Sequence, residues 1–129
     1  PDKPADRGEH SFTYAIYPHK KKPMESELVK IGYELNNPVR ICKGSADIKP
    51  LITCNAENII LETVFVNDNG NIAFRMYETA GKETDTEICI NTDYESIHET
   101  DMLFENAKEM DLGNLHFNPF EIKTLEVKQ

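Results

Sequence analysis

At 129 residues, with 39% hydrophobic and 29% charged side chains, the chain has the size of one small domain and apolar content for a modest core. Its formal charge of −9 argues against a nucleic-acid partner, which demands a dense basic face. No stretch approaches the roughly 20 apolar residues that span a bilayer, so a membrane partner is not expected either.

The opening, PDKPADRGEH, is polar, lacks the apolar core of a signal peptide and does not begin with Met; it reads as the interior of a longer chain. Residues 11–17 then alternate, with Phe12, Tyr14 and Ile16 on one face and Thr13, Ala15 and Tyr17 on the other, which predicts a strand ended by Pro18. The basic run His19-Lys20-Lys21-Lys22 stops at Pro23 and reads as a solvated turn. Met24, Leu28, Ile31 and Leu35 follow at helical steps, with Ser26 as a cap and Asn36-Asn37-Pro38 as the stop, predicting a short amphipathic helix. Residues 38–47, with Pro and Gly and little periodicity, are a connector.

Short strands fill the remainder. IKPLITC (48–54) is expected at an edge because of Pro50. NIILETVFV (58–66) is dense in β-branched and aromatic residues and is expected in the middle of a sheet. Asn67-Asp68-Asn69-Gly70 predicts a hairpin turn, since these residues tolerate positive φ. Its return strand is 71–78, with Ile72, Phe74 and Met76 inward and Arg75 and Tyr77 opposite. Strands are further expected at 86–91, 95–102 and 117–127, the last setting Phe120 and Ile122 on one face against Glu121 and Lys123, while 103–115 reads as turn. Five or six strands with turns every 8–12 residues predict an all-β chain with one short helix, an antiparallel β-sandwich.

No constellation in this pattern declares chemistry. His10, His19, His98 and His116 lack zinc-site spacings, and His10 and His19 would sit roughly 25–30 Å apart at opposite ends of one strand. Ser11 beside His10 leaves the strand on the other face, so the pair is not a nucleophile with its base. Cys42, Cys54 and Cys89 have no CxxC spacing; they read as small buried hydrophobes in a reducing compartment. Glu9, Glu62, Glu78 and Asp101 could serve as acid/base groups, but with 23 carboxylates in the chain a solvated role is the simpler reading. Glu62 is the exception, because it interrupts an apolar strand and, if buried, needs a partner such as Arg75 across the hairpin. Tyr33, Tyr77 and Tyr94 are the aromatics that could stack on a sugar ring.

Four segments, in order, carry a family likeness. GEHSFTYAIYPHK with the helix ending YELNNPV, then IILETVF, AFRMYETAG and NPFEIKTLEV, resemble the C-terminal β region of glycoside hydrolase family 38 α-mannosidases of the cytosolic, non-secreted branch. The departures are small: Phe65 stands where Lys is usual, Val39 replaces Leu, and the hairpin VNDNGN is tighter than in many relatives. The resemblance implies a parent enzyme that hydrolyses terminal α-mannosides with retention, using two carboxylates about 5–5.5 Å apart and a divalent metal, usually zinc. It places that machinery in an N-terminal catalytic domain, so no catalytic, cofactor-binding or metal-binding residue is assigned to this sequence. It further implies that residues 1–37 are the last strand and helix of a preceding β-supersandwich, 38–47 a connector, and 48–129 the C-terminal sandwich. The implied partners are the chain's own catalytic domain and, through an unpaired apolar edge, a second copy; the implied compartment is the cytoplasm. A carbohydrate-binding module is the alternative reading.

Overall fold

The computed structural model describes residues 7–25 and 27–129. After a 3₁₀ turn at Pro23–Glu25 comes the helix α1 (Leu28–Asn36). The strands are β1 (Ile52–Cys54), β2 (Ile59–Val66), β3 (Ile72–Glu78), β4 (Thr84–Thr86), β5 (Ile88–Ile90), β6 (Ser96–Thr100), β7 (Lys108–Met110), β8 (Leu115–Phe117) and β9 (Ile122–Lys128).

The β2–β3 hairpin forms where the turn residues predict it. The Asn67 amide donates to Asn71 O at 2.9 Å, and the Asn67 side-chain oxygen accepts from the Asn69 and Asn71 amides. Gly70 takes φ +81°, which a glycine adopts at little cost. Around this hairpin a five-stranded antiparallel sheet runs β2-β3-β9-β6-β7, and the two-stranded sheets β1-β5 and β4-β8 supply the opposing layer. Ile59, Phe74, Met76, Ile97, Leu125 and Val127 from the large sheet meet Ile88, Leu112, Leu115 and Phe117 in one buried cluster. The chain is therefore the antiparallel β-sandwich with one helix that its alternation predicts, and Ile72, Phe74 and Met76 face the core as expected.

Several local expectations fail for identifiable reasons. Residues 11–17 form no ladder with any strand among the described residues; Phe12, Tyr14 and Ile16 are 79–85% exposed. The helix is shorter than its periodicity suggests, and the proposed cap, Ser26, lies outside the described residues. β2 is an edge strand rather than a central one. Its register shifts between Leu61 and Thr63, leaving Glu62 in a bulge, and Tyr33 of α1 caps that bulge by donating to Glu62 O at 2.6 Å. Bulges belong at edges, and a side-chain donor there satisfies carbonyls that a neighbouring strand would otherwise bind. The strand expected at 86–91 is two short strands, β4 and β5, which pair with β8 and β1 respectively. The 103–115 turn region contains β7 and the start of β8.

At the last strand the pattern inverts. Leu125 and Val127 pair with Phe74 and Ile72 and thereby fix which face of β9 is inward. Ile122 and Phe120 are left 52% and 58% exposed, while the side chain of Lys123 is only 10% exposed. Lys123 survives there because its ammonium lies 2.8 Å from Glu99, 3.4 Å from Glu121 and 5.7 Å above the Phe117 ring.

Candidate functional site

The most concentrated polar chemistry in the molecule surrounds Glu78, the last residue of β3, which is 1% exposed. One carboxylate oxygen accepts from Asn58 Nδ2 at 2.7 Å and the Ala80 amide at 2.6 Å. The other accepts from the amides of Gly81 (2.8 Å), Lys82 (3.2 Å) and Phe120 (2.9 Å). Among the described residues no basic side chain bonds it. Burial by itself raises the carboxyl's pKa, but the donors from Phe120, Asn58, Ala80 and Lys82 outweigh it and hold the group below its ordinary value. With five donors spread over two oxygens, Glu78 is an ionised acceptor hub with no proton to deliver. It is a clasp between the 79–83 loop and the 118–121 turn, and its geometry gives no acid/base function.

The clasp holds two special backbones. Phe120 adopts φ +60° and Gly81 φ +67°. A Cβ built on Gly81 would meet Phe120 Cζ at 2.7 Å, so the aromatic ring rests where any larger residue would put a side chain. The turn is closed further by the Asn118 amide donating to Glu121 Oε2 at 2.7 Å and by Glu121 N donating to Asn118 O at 3.1 Å.

Glu126 repeats the theme at the other end of β9. It is buried, and its Oε1 accepts from Asn67 Nδ2 at 2.6 Å and Asn71 Nδ2 at 3.0 Å. Burial raises its pKa, yet those two amides, with Lys128 and His98 adding favourable charge, bring it below the usual carboxylate range. Asp101 organises a third loop by accepting from the amides of Glu105 and Leu103 and from Asn106 Nδ2. The Glu105 amide does most to lower its pKa. Each of these carboxylates holds a turn.

The residues singled out from sequence are dispersed. His10 and Glu9 are exposed on the arm, the described part of residues 7–37 that precedes the connector, and His19 stacks on Tyr17 while its Nδ1 meets Lys21 O at 2.7 Å. His116 pairs with Asp85 at 2.9 Å on the surface. His98, half-buried in β6, has an Nδ1 without a hydrogen-bond partner. Glu62 is exposed in the bulge, and the ion pair with Arg75 does not form; Arg75 donates instead to Thr124 Oγ1 at 3.1 Å. Cys42 and Cys89 are exposed and Cys54 is half-buried, so the expectation of three buried hydrophobes fails; all three are free thiols. Tyr33 spends its hydroxyl on Leu61 O and Glu62 O; burial first, then Glu62 and Tyr77, raise its pKa. Tyr77 is half-buried, and Tyr94 is exposed beside Asp93 and Glu95 in an open cleft. Among the described residues, no three His, Cys, Asp or Glu side chains converge as metal ligands, and no helix is long and apolar enough to cross a membrane.

Sequence reasoning placed Glu78 among many carboxylates without distinguishing it. The signal lay in the glycine three residues after it, in YETAG, and in NPFE, where an amide 42 residues away completes the hub.

Residues 58–125 match the sequence profile described as the glycosyl hydrolases family 38 C-terminal beta sandwich domain. Alpha-mannosidase G of Dictyostelium discoideum is 33% identical over 139 aligned positions, covering 96% of this chain. Alpha-mannosidase 2C1 of Mus musculus and of Homo sapiens are 26% and 25% identical, each covering 97% of it. This chain spans only 13% of the length of each of these relatives.

Proposed function

The chain belongs to the family of C-terminal β-sandwich domains of glycosyl hydrolases family 38, and from that premise we propose that it is a non-catalytic structural domain of an α-mannosidase. In this reading the parent polypeptide hydrolyses terminal α-mannosides in the cytoplasm with retention, and its catalytic carboxylates and metal lie in a preceding catalytic domain. The zinc that the resemblance implies does not fit the residues here: His116 is committed to Asp85, and His98 and His19 each stand without a second acidic or histidine ligand in bonding contact. In this reading no step of the reaction is assigned to a residue of this chain.

The observation that carries the reading is the arm. Phe12, Tyr14 and Ile16 alternate like a strand yet stand exposed, as do Val39 and Ile41 of the connector and Ile48 just after it. A monomeric surface rarely spends six large apolar side chains this way, so they are the docking surface for the preceding part of the polypeptide, with residues 1–37 completing its sheet. The Glu78, Glu126 and Asp101 clasps supply the rigidity of such a support.

The test is a mannosidase assay. The 129-residue chain should release no product from an aryl α-mannoside with added zinc or cobalt, and the longer polypeptide should lose activity when the arm carries Phe12→Asp and Ile16→Asp. Turnover by the 129-residue chain above blank would overturn the reading.

A carbohydrate-binding module is the second reading, supported by Tyr94, exposed beside Asp93, Glu95 and Gln129 in an open cleft. Titration with mannobiose followed by NMR decides it: saturable shifts clustered at 92–95 favour the module, and their absence removes it.

A further inference from the structure

Phe120, a bulky residue at φ +60°, is a backbone outlier of a kind that persists only where its surroundings over-determine it. Here they do: the Phe120 amide is bound by Glu78 at 2.9 Å, the ring lies on Gly81, and Asn118 and Glu121 close the turn. What this arrangement achieves is exposure. Phe120 is held 58% exposed two residues before Ile122, itself 52% exposed, on a strand whose next residue, Lys123, is nearly buried.

The patch continues across the sheet. Ile122 pairs with Tyr77, and Tyr77 pairs with Ile60, so the three side chains share the face turned away from the core. Tyr33 anchors α1 to the edge of the same sheet by donating to the carbonyls of Leu61 and Glu62, the residues that follow Ile60. The arm thus joins the sandwich on the side where Phe120 and Ile122 are presented. Relatives that span this chain, arm included, extend far beyond it, so the same face belongs to polypeptides of which it is 13%.

We propose that Phe120 and Ile122, with Tyr77, form the sandwich's own anchor for the preceding part of the longer polypeptide, the body that covers the arm. This rests on the docking reading given above for the arm and extends it to a site on the sandwich. A rigidly mounted aromatic flanked by aliphatic and aromatic side chains is the composition of an interface hot spot, and the prior payment of backbone strain removes an ordering cost from docking.

Hydroxyl-radical footprinting with peptide-resolved mass spectrometry tests this without any substitution. The longer polypeptide and the 129-residue chain are compared, each rate being referred to the same residue in the urea-unfolded chain, with exposed Tyr94 as the reference surface. Phe120 and Phe12 should each react about five-fold or more slowly in the longer polypeptide, as when an exposed ring enters an interface core, while Tyr94 changes little. Protection of Phe12 without protection of Phe120 overturns this inference and leaves the arm reading standing. Protection of neither overturns both. Protection of Phe120 in the 129-residue chain that grows with concentration assigns the patch to a second copy and also overturns it.

Discussion

The arm and β3 carry the same kind of message and meet opposite fates. Phe12, Tyr14 and Ile16 alternate as regularly as Ile72, Phe74 and Met76, yet the first set is 79–85% exposed whereas Phe74 and Met76 are 2% and 0% exposed. Charge separates the regions as well: residues 1–49 hold 9 Lys and Arg against 7 Asp and Glu, and residues 50–129 hold 5 against 16. Alternation encodes the capacity to present an apolar face, and burial additionally requires a second surface within reach. β3 finds its partners in β2, β9 and the opposing layer, while the arm bonds the edge of the sheet through Tyr33 on the β2 bulge.

Substitutions can sharpen that contrast. In the 129-residue chain, Phe74→Ala should cost about 3–5 kcal/mol in urea unfolding, because it empties a buried site shared by both layers. Equal destabilisation by Phe12→Ala would erase the distinction. Glu78→Gln should cost about 2–4 kcal/mol, since an amide keeps one acceptor oxygen and turns its NH₂ toward backbone donors.

The same residue sets a pH dependence. Its folded carboxyl lies below the ordinary 4.5, so the stability it contributes is present above that value and is lost as pH falls through the lower folded one. Unfolding free energy measured between pH 6 and pH 3 should fall for the native chain and fall less for Glu78→Gln. Parallel curves would show that the clasp is not the group titrating.

Gly81→Ala combines an unfavourable φ of +67° with a Cβ at 2.7 Å from the Phe120 ring and should cost about 1–3 kcal/mol. Its NMR signature would be a shift of the Phe120 ring protons, and unchanged stability would mean that the ring moves aside freely. Tyr33→Phe should cost about 0.5–1.5 kcal/mol through the lost bond to Glu62 O. Hydrogen exchange should then rise in α1 while β3 and β9 stay protected; uniform acceleration would join arm and sandwich into one cooperative unit.

Much of the architecture was legible because it rests on local rules. The Asn67–Gly70 turn, the inward face of β3 and the sandwich class follow from positive-φ tolerance and period-two alternation. The four family signatures were legible as a likeness, and two of them, YETAG and NPFE, prove to meet at Glu78. Their meeting was not legible, because 42 residues separate the carboxylate from the Phe120 amide. The edge position of β2 was hidden for the same reason: β-branched residues report a half-buried surface and say nothing about how many strands flank it. The free Glu62 followed from the bulge, which no composition announces.

The β9 strand draws the boundary most clearly. Its sequence by itself determined that Ile122, Lys123, Leu125 and Val127 would alternate in an extended segment, since that depends only on backbone geometry. Which set faced inward was decided by tertiary pairing, because Leu125 and Val127 had Phe74 and Ile72 to meet, while Lys123 had Glu99 and the Phe117 ring. A strand has one parity, and the larger burial won it; Ile122 was turned outward as the consequence, while the turn before it holds Phe120 exposed.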